Sequence, residues 1–211
     1  MTLPAVTLPA LLPFTLIRRS LPALLIGALL IVSGCSKNPS VPNPGRLDFT
    51  RYGQIVLAAG TVEVMDLYHP ARVRPNVEHL TSESPAVAVR RWAAERLATT
   101  GGSGSVRVTI RDASILETEL PRTHGVKGLF TTDQDRRYDC RVEVEVSAHG
   151  SDGRFSGHAS ALATHSTTIA ETVLDADLDK VWTELVRRTL DDLNAQLDRN
   201  IRTNLAPIVR R

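Results

Sequence analysis

A strict alternation of apolar and polar residues at positions 138–147 constrains the fold of this chain more than any other feature. Tyr138, Cys140 and three valines up to Val146 are apolar, and the residues between them are polar or charged. Successive side chains of a strand point to opposite faces, so the pattern predicts a strand with one buried face and one hydrated face. This arrangement is typical of antiparallel sheets.

Three further segments are predicted to form strands of the same sheet. The first covers residues 54–68 and bends or bulges near Gly60, where the alternation breaks. The second covers residues 106–120, with a slip near Asp112. The third covers residues 154–166. It has a row of small side chains that would let a helix approach the sheet closely: Gly157, Ala159, Ala161 and Ala163.

Two segments have the apolar spacing of helices. The first begins at Ser84-Pro85, since serine supplies an N-cap oxygen and proline fits the first helical position. We expect it to end at Gly101-Gly102. The second covers residues 177–205, about 43 Å at 1.5 Å per residue. A typical strand measures about 20 Å, so we expect this helix to overhang the sheet, bend or contact something else.

The predicted fold class follows from the order of these elements. Helices kept together on one face of an antiparallel sheet bury the apolar faces of both. We therefore predict an α+β domain over residues 47–211, with an antiparallel sheet of about four strands and two helices on one face.

The first 34 residues have the composition of an export signal. They contain no acidic residue, and Arg18 and Arg19 precede an apolar run at residues 21–32. A positive start, a short apolar core and small residues before a cleavage site define a secretory signal, whereas a membrane-spanning helix needs about 20 apolar residues. We predict a signal peptide at residues 1–34. The arginine pair is also similar to a twin-arginine signal, which remains an alternative.

The tetrad Val32-Ser33-Gly34-Cys35 resembles a bacterial lipobox. The resemblance implies cleavage between Gly34 and Cys35 and a diacylglyceryl group on the Cys35 thiol. By similarity to the bacterial sorting rule, Ser36 in place of aspartate favours the outer membrane. Several acyl chains give stable anchoring. We therefore expect a protein attached to the outer membrane by lipid and facing the periplasm.

Removal of the signal changes the charge of the chain. Lys and Arg fall from 25 to 23, which equals the number of Asp and Glu, so bulk charge indicates no nucleic-acid partner. Residues 35–46 comprise Cys35, the predicted site of lipidation, and a flexible tether. Three prolines in this tether favour an extended backbone and make it less flexible. Cys140 is the remaining cysteine, and we expect it to be buried or, alternatively, to form an intermolecular disulfide.

The sequence contains no motif for catalysis or metal binding. GxSxG, Walker, GxGxxG and HExxH patterns are absent, and the six histidines lack metal-ligand spacing. The glycine-rich residues 101–104 follow a helix and precede a strand, the reverse of the order in phosphate-binding loops. We therefore predict a protein that is not an enzyme and has no metal and no cofactor.

One long connection is a candidate site. Residues 121–135 are long for a hairpin loop and carry an apolar tip at Leu129 and Phe130. Phe130 either folds back onto the core or contacts a partner or membrane.

The lipobox and the strand–helix–three strands–helix order together look like small outer-membrane lipoproteins of Gram-negative bacteria. The architecture is similar to that of the LPS-assembly lipoprotein and the ABC-transporter auxiliary lipoproteins. Four stretches also resemble a group of alphaproteobacterial lipoproteins that implies no activity: residues 75–79, 91–97, 133–138 and 194–205. A shared architecture does not imply function, so no functional residue is carried over.

These observations predict a lipid-anchored accessory or scaffold protein that binds an envelope protein partner in outer-membrane assembly or transport. The alternative is a periplasmic carrier of lipid or another amphiphile, with its pocket between the sheet and the helices.

Overall fold

The computed structural model of the chain describes residues 46–121, 134–150 and 154–210. These residues form two helices, seven strands and two short 3-10 helices, Thr50–Tyr52 and Ala206–Ile208. The helices and strands are β1 (Ile55–Leu57), β2 (Thr61–Asp66), α1 (Pro85–Arg96), β3 (Leu97–Thr99), β4 (Ser105–Glu119), β5 (Gln134–His149), β6 (Ser156–Ala170), α2 (Asp175–Asn204) and β7 (Val209–Arg210).

The predicted α+β class is confirmed, but the prediction of a purely antiparallel sheet is wrong. The larger sheet has the order β2-β4-β5-β6, and β5 pairs antiparallel with both β4 and β6. In contrast, β2 pairs parallel with β4, beginning with Thr61 opposite Ser105. Because α1 and β3 lie between β2 and β4 in the chain, the crossover returns β4 in the same direction as β2.

The predicted first strand is two strands in different sheets. The expected break near Gly60 is confirmed, and β1 lies in a three-stranded sheet with β3 and β7. This second sheet is also mixed, since β1 is parallel to β3 and antiparallel to β7. A Cβ on Gly60 would collide with the backbone carbonyl of Gly102, so only glycine fits where the chain passes from β1 to β2.

The first helix begins as predicted but ends earlier. Ser84 is the N-cap, its side chain accepts a hydrogen bond from the Val87 N–H at 3.4 Å, and Pro85 is the first helical residue. The helix ends at Arg96 instead of Gly101, because Leu97–Thr99 pairs with β1 as a strand. Pairing with a distant strand here overrides the local signal of the glycines.

Of the three alternatives predicted for the long helix, the overhang is wrong, because the strand beneath it is as long as the helix. At about 1.5 Å per residue α2 measures about 45 Å, and the 15 residues of β6 at about 3.3 Å each measure about 50 Å. Near its C-terminal end Asn200 contacts Ser160, and earlier in the helix Asp192 contacts His165, so α2 runs antiparallel along β6. Neither helix of the described residues has the length and apolar character needed to span a membrane.

Both helices pack on the apolar face of the larger sheet. α1 contacts β4, α2 contacts β5 and β6, and the two helices contact each other. The alanines of β6 are buried beneath α2, as the small-residue row predicts. Tyr138 and Trp182 pack edge to face with ring centroids 5.6 Å apart. Cys140 lies in this core and is 1% exposed, which confirms its predicted burial, and this burial raises the pKa of its thiol to about 12.

A buried polar cluster fixes the start of the domain against the two helices. The Asn194 Oδ1 on α2 accepts hydrogen bonds from Trp92 Nε1 and Arg96 Nε on α1, both at 2.9 Å. Arg96 also donates to the Tyr52 carbonyl at 2.7 Å and forms an ion pair with Asp198. The segment before α1 is thereby held by a guanidinium that is 1% exposed.

Candidate functional site

The residues that the sequence nominates lie outside the described part of the chain. Gly34 and Cys35 of the predicted lipidation site, and Leu129 and Phe130 of the loop tip, are among them. Lipidation and a partner contact at the loop tip therefore stay predictions. Among the described residues, no group of three or more histidine, cysteine, aspartate or glutamate side chains could hold a metal ion.

The feature that sequence reasoning missed is the outer edge of β6. This strand is last in the order β2-β4-β5-β6, and no strand of the described residues pairs with its outer side. Its 15 residues contain no lysine, arginine, aspartate, glutamate or proline. Natural proteins protect sheet edges with short strands, charges, prolines or bulges, because unpaired N–H and C=O groups recruit another strand. The uncharged run at residues 155–170 is the sequence signal for this edge.

The opposite edge of the same sheet is protected. β2 has six residues, and two of them are acidic. Asp66 pairs with Arg90 of α1 at 2.6 Å, and Glu63 lies 3.6 Å from Arg107 of β4. Short length and charge are the devices expected at a solvent-exposed edge. β6 therefore differs from β2 in length and in charge, although Val64 and Met65 of β2 are also exposed.

The hydrated face of β6 carries a row of hydroxyl groups around one leucine. Leu162 is 42% exposed at the middle of the strand. The other members of this row are small or polar and exposed: Ser156, His158, Ser160, Thr164, Ser166 and Thr168. The opposite row of the strand faces α2.

Helix α2 lies beside this edge and forms one wall of a shallow groove. The groove has a volume of about 180 Å³ and is lined by Thr167 of β6 and four side chains of α2: Val181, Glu184, Leu185 and Arg188. Hydrogen bonds from Arg187 and Arg188 lower the pKa of Glu184 to about 2, so this carboxylate is ionised at neutral pH. One side of the groove is therefore formed by a strand without Lys, Arg, Asp or Glu, and the other side by a helix that carries the ion-paired Glu184 and Arg188.

Two larger grooves have charges that already pair with one another. A groove of about 650 Å³ lies between residues 46–51 and α2, and there Asp191 binds Arg51 at 2.8 Å and Arg187 at 2.7 Å. A groove of about 530 Å³ lies beside α1, and there the Tyr68 hydroxyl donates to Glu78 at 2.7 Å. These contacts explain the charged groups as parts of the fold.

The space between the sheet and the helices is filled with side chains. Trp92, Tyr138 and Leu190 are fully buried there, and Trp182 is 5% exposed. The alternative of an amphiphile carrier needs a pocket at this interface. Among the described residues, these large side chains fill that part of the interface.

No protein-family model matches the chain, and a search of curated proteins finds no match. Among solved structures, the chain is similar to a minor lipoprotein from Acinetobacter baumannii, with a TM-score of 0.35, 14% identity and coverage of 74% of this chain and 98% of that chain. It is similar to the rare lipoprotein B from Shewanella oneidensis, with a TM-score of 0.33, 11% identity and coverage of 64% and 90%. A single-residue variant of the PelC dodecamer from Paraburkholderia phytofirmans matches with a TM-score of 0.24, 14% identity and coverage of 68% and 94%.

The first two of these neighbours are lipoproteins of Gram-negative bacteria. The resemblances to the alphaproteobacterial group and to the LPS-assembly lipoprotein stay predictions.

Proposed function

We propose that this chain is a lipid-anchored accessory protein of the Gram-negative envelope that binds a protein partner by strand addition to β6. The proposed setting is the periplasmic side of the outer membrane, in assembly or transport. The observation that carries the proposal is the long, uncharged outer edge of β6. Strand addition takes its affinity from main-chain hydrogen bonds and its specificity from alternate side chains.

The buried start of the domain suits a protein held on a tether. Leu47 and Phe49 are 7% and 2% exposed, and the Phe49 N–H donates to Glu95 of α1 at 2.7 Å. These contacts join the end of the proposed tether firmly to α1. A partner bound at β6 would thereby be held at a limited distance from the membrane, about 3 Å per extended tether residue.

The anchor is tested by cell fractionation of the Cys35→Ser variant, with the unmodified chain as control. We expect the unmodified chain in the membrane fraction and the variant in the soluble periplasmic fraction. Membrane attachment of the variant equal to that of the control would contradict lipidation at Cys35.

The binding edge is tested by photo-crosslinking in intact cells. A photoreactive residue replaces Thr164 on β6 or, as the matched control, Thr118 on β4; both threonines are exposed. We expect a discrete crosslinked band from position 164 that is absent from position 118. The proposal fails if position 164 yields no adduct, or if both positions yield the same adducts.

A further inference from the structure

We propose that a second copy of this chain occupies the β6 edge, through antiparallel β6–β6 pairing about a two-fold axis at Leu162. The inference rests on the proposed function, because it identifies the strand that is added to β6. A two-fold interface brings the same surface patch of both copies together, so the patch must be complementary to itself. β6 meets this condition in three respects. It lacks Lys, Arg, Asp and Glu, its two rows of side chains match their own reversed copies, and the exposed side of α2 next to it carries complementary charges.

The absence of charge removes the main penalty of self-pairing. Like charges placed directly opposite one another across two strands are destabilising. β6 has no lysine, arginine, aspartate or glutamate along its 15 residues. Its two histidines, His158 and His165, lie opposite Ser166 and Ala159 when the axis is at Leu162, so this register places no like charges of the strand opposite one another.

An axis at Leu162 pairs compatible side chains on the hydrated face. Leu162, the large apolar side chain of this row, meets its own copy. Each residue before the axis meets one equally far beyond it, so Ser160 faces Thr164, and His158 faces Ser166. Serine and threonine pairs form hydrogen bonds across strands, so the two Ser160–Thr164 pairs favour this register.

On the face beneath α2, every pair that the same axis forms between residues 157 and 167 contains at least one glycine or alanine. Gly157 meets Thr167, Ala159 meets His165, and Ala161 meets Ala163. The smallest side chains lie toward one end of the strand and the larger ones toward the other. Antiparallel pairing brings these two ends together, so the row fits its own reversed copy.

The exposed side of α2 adds charge complementarity. Asp192 contacts His165 and Asn200 contacts Ser160, so Leu162 lies level with residues between them on the helix. Asp192 and Arg199 are exposed and two helical turns apart on this side, with the exposed Ala195 between them. A two-fold axis at this level places Asp192 of each copy near Arg199 of the other. Ala195 leaves room for the two helices to approach.

One contact at the edge remains compatible with pairing. The Ser160 carbonyl already accepts a hydrogen bond from Asn200 Nδ2 at 2.7 Å. A backbone carbonyl has two lone pairs, so the Ser160 oxygen can also accept the N–H of an added strand.

Crosslinking through one introduced cysteine in the full chain, in the oxidising envelope, tests this register. Directly opposite residues have Cα atoms about 4.5–5.5 Å apart, within the range for a disulfide. Leu162→Cys should therefore form a disulfide-linked dimer on a non-reducing gel. Ser160→Cys alone should not, because the two copies of that position are four residues out of register, about 13 Å apart. Ser160→Cys expressed together with a tagged Thr164→Cys chain should crosslink again.

The unmodified chain is the background control, since its Cys140 is buried and its Cys35 is predicted to be lipidated. Equal dimer formation by Leu162→Cys and Ser160→Cys would overturn the proposed register, and monomeric Leu162→Cys would overturn the proposed dimer. If Leu162→Cys stays monomeric while position 164 photo-crosslinks to a different protein, the proposed function survives and the second copy is excluded. If position 164 yields no adduct at all, both proposals fail.

Charge insertion gives an independent readout by sedimentation of the purified full chain in mild detergent. Leu162→Lys places two ammonium groups opposite each other at the axis, so we expect a shift from dimer to monomer. Leu116→Lys on β4 is the matched control. Leu116 is 40% exposed, close to the exposure of Leu162. Each leucine also lies opposite an acidic residue of β5: Leu116 is opposite Asp139, and Leu162 is opposite Glu143. A monomeric unmodified chain, or an unchanged dimer in Leu162→Lys, would refute the inference.

Discussion

The buried cluster around Asn194 gives a prediction whose magnitude follows from the structure. Asn194 is 3% exposed, and its Oδ1 accepts from Trp92 Nε1 and Arg96 Nε. Asn194→Leu keeps a similar side-chain volume but leaves both buried donors without this acceptor. An unsatisfied buried donor costs about 1–3 kcal/mol, and more when it is charged. Since Arg96 keeps its contacts with Tyr52 and Asp198, we expect a total loss of about 3–5 kcal/mol.

Urea unfolding of the purified exported chain, followed by tryptophan fluorescence, measures this loss. A loss of this size is a large fraction of the 5–15 kcal/mol that is usual for a domain, and it lowers the melting temperature by roughly 10 °C. Gln196→Leu, at a half-buried position two residues further along α2, controls for the effect of a leucine in the helix. We expect it to change stability by less than about 0.5 kcal/mol. A loss below about 1 kcal/mol for Asn194→Leu, or equal losses for both variants, would refute the role of the cluster.

Two further variants or measurements examine the fold. Gly60→Ala should lower the unfolding free energy by about 2–3 kcal/mol, because its Cβ collides with the Gly102 carbonyl; an unchanged urea midpoint would contradict that contact. Cys140 should react with a thiol reagent only after unfolding, since it is 1% exposed and burial raises the pKa of its thiol to about 12. Rapid labelling of the native chain would disprove that burial.

Local patterns predicted the elements of this fold better than their pairing. The alternation at residues 138–147 and the Ser84-Pro85 start depend on residues that are neighbours in the chain, and both are confirmed. The end of α1 and the direction of β2 depend on β1 and β4, which are distant in sequence. Periodicity contains no information about such pairings, so the glycines at 101–102 indicated the wrong end of the helix.

The length of the strands had the largest consequence for the site. A typical strand length made α2 appear too long for the sheet, which suggested a partner for its overhanging end. The strands β4, β5 and β6 have 15 or 16 residues each, so the sheet is long enough to support the whole helix. The structure therefore removes the predicted overhang of α2, and the contact predicted at Leu129 and Phe130 stays a prediction alongside the proposed binding at the edge of β6.

The residue composition of the two rows of β6 has different causes. Packing within the domain explains the composition of only one row. Packing beneath α2 explains the small residues on the buried row, where Ala159 and Ala161 are 0% and 6% exposed. It does not explain the hydrated row, because the neighbouring strand β5 carries Arg141 and Glu143 on the same face, with side chains 43% and 35% exposed. Leu162 is as exposed as these residues, yet its row contains no such charge. If β6 pairs with another strand, charges are excluded from its exposed row. The same requirement does not apply to β5, which is not at the edge and carries charges on this face.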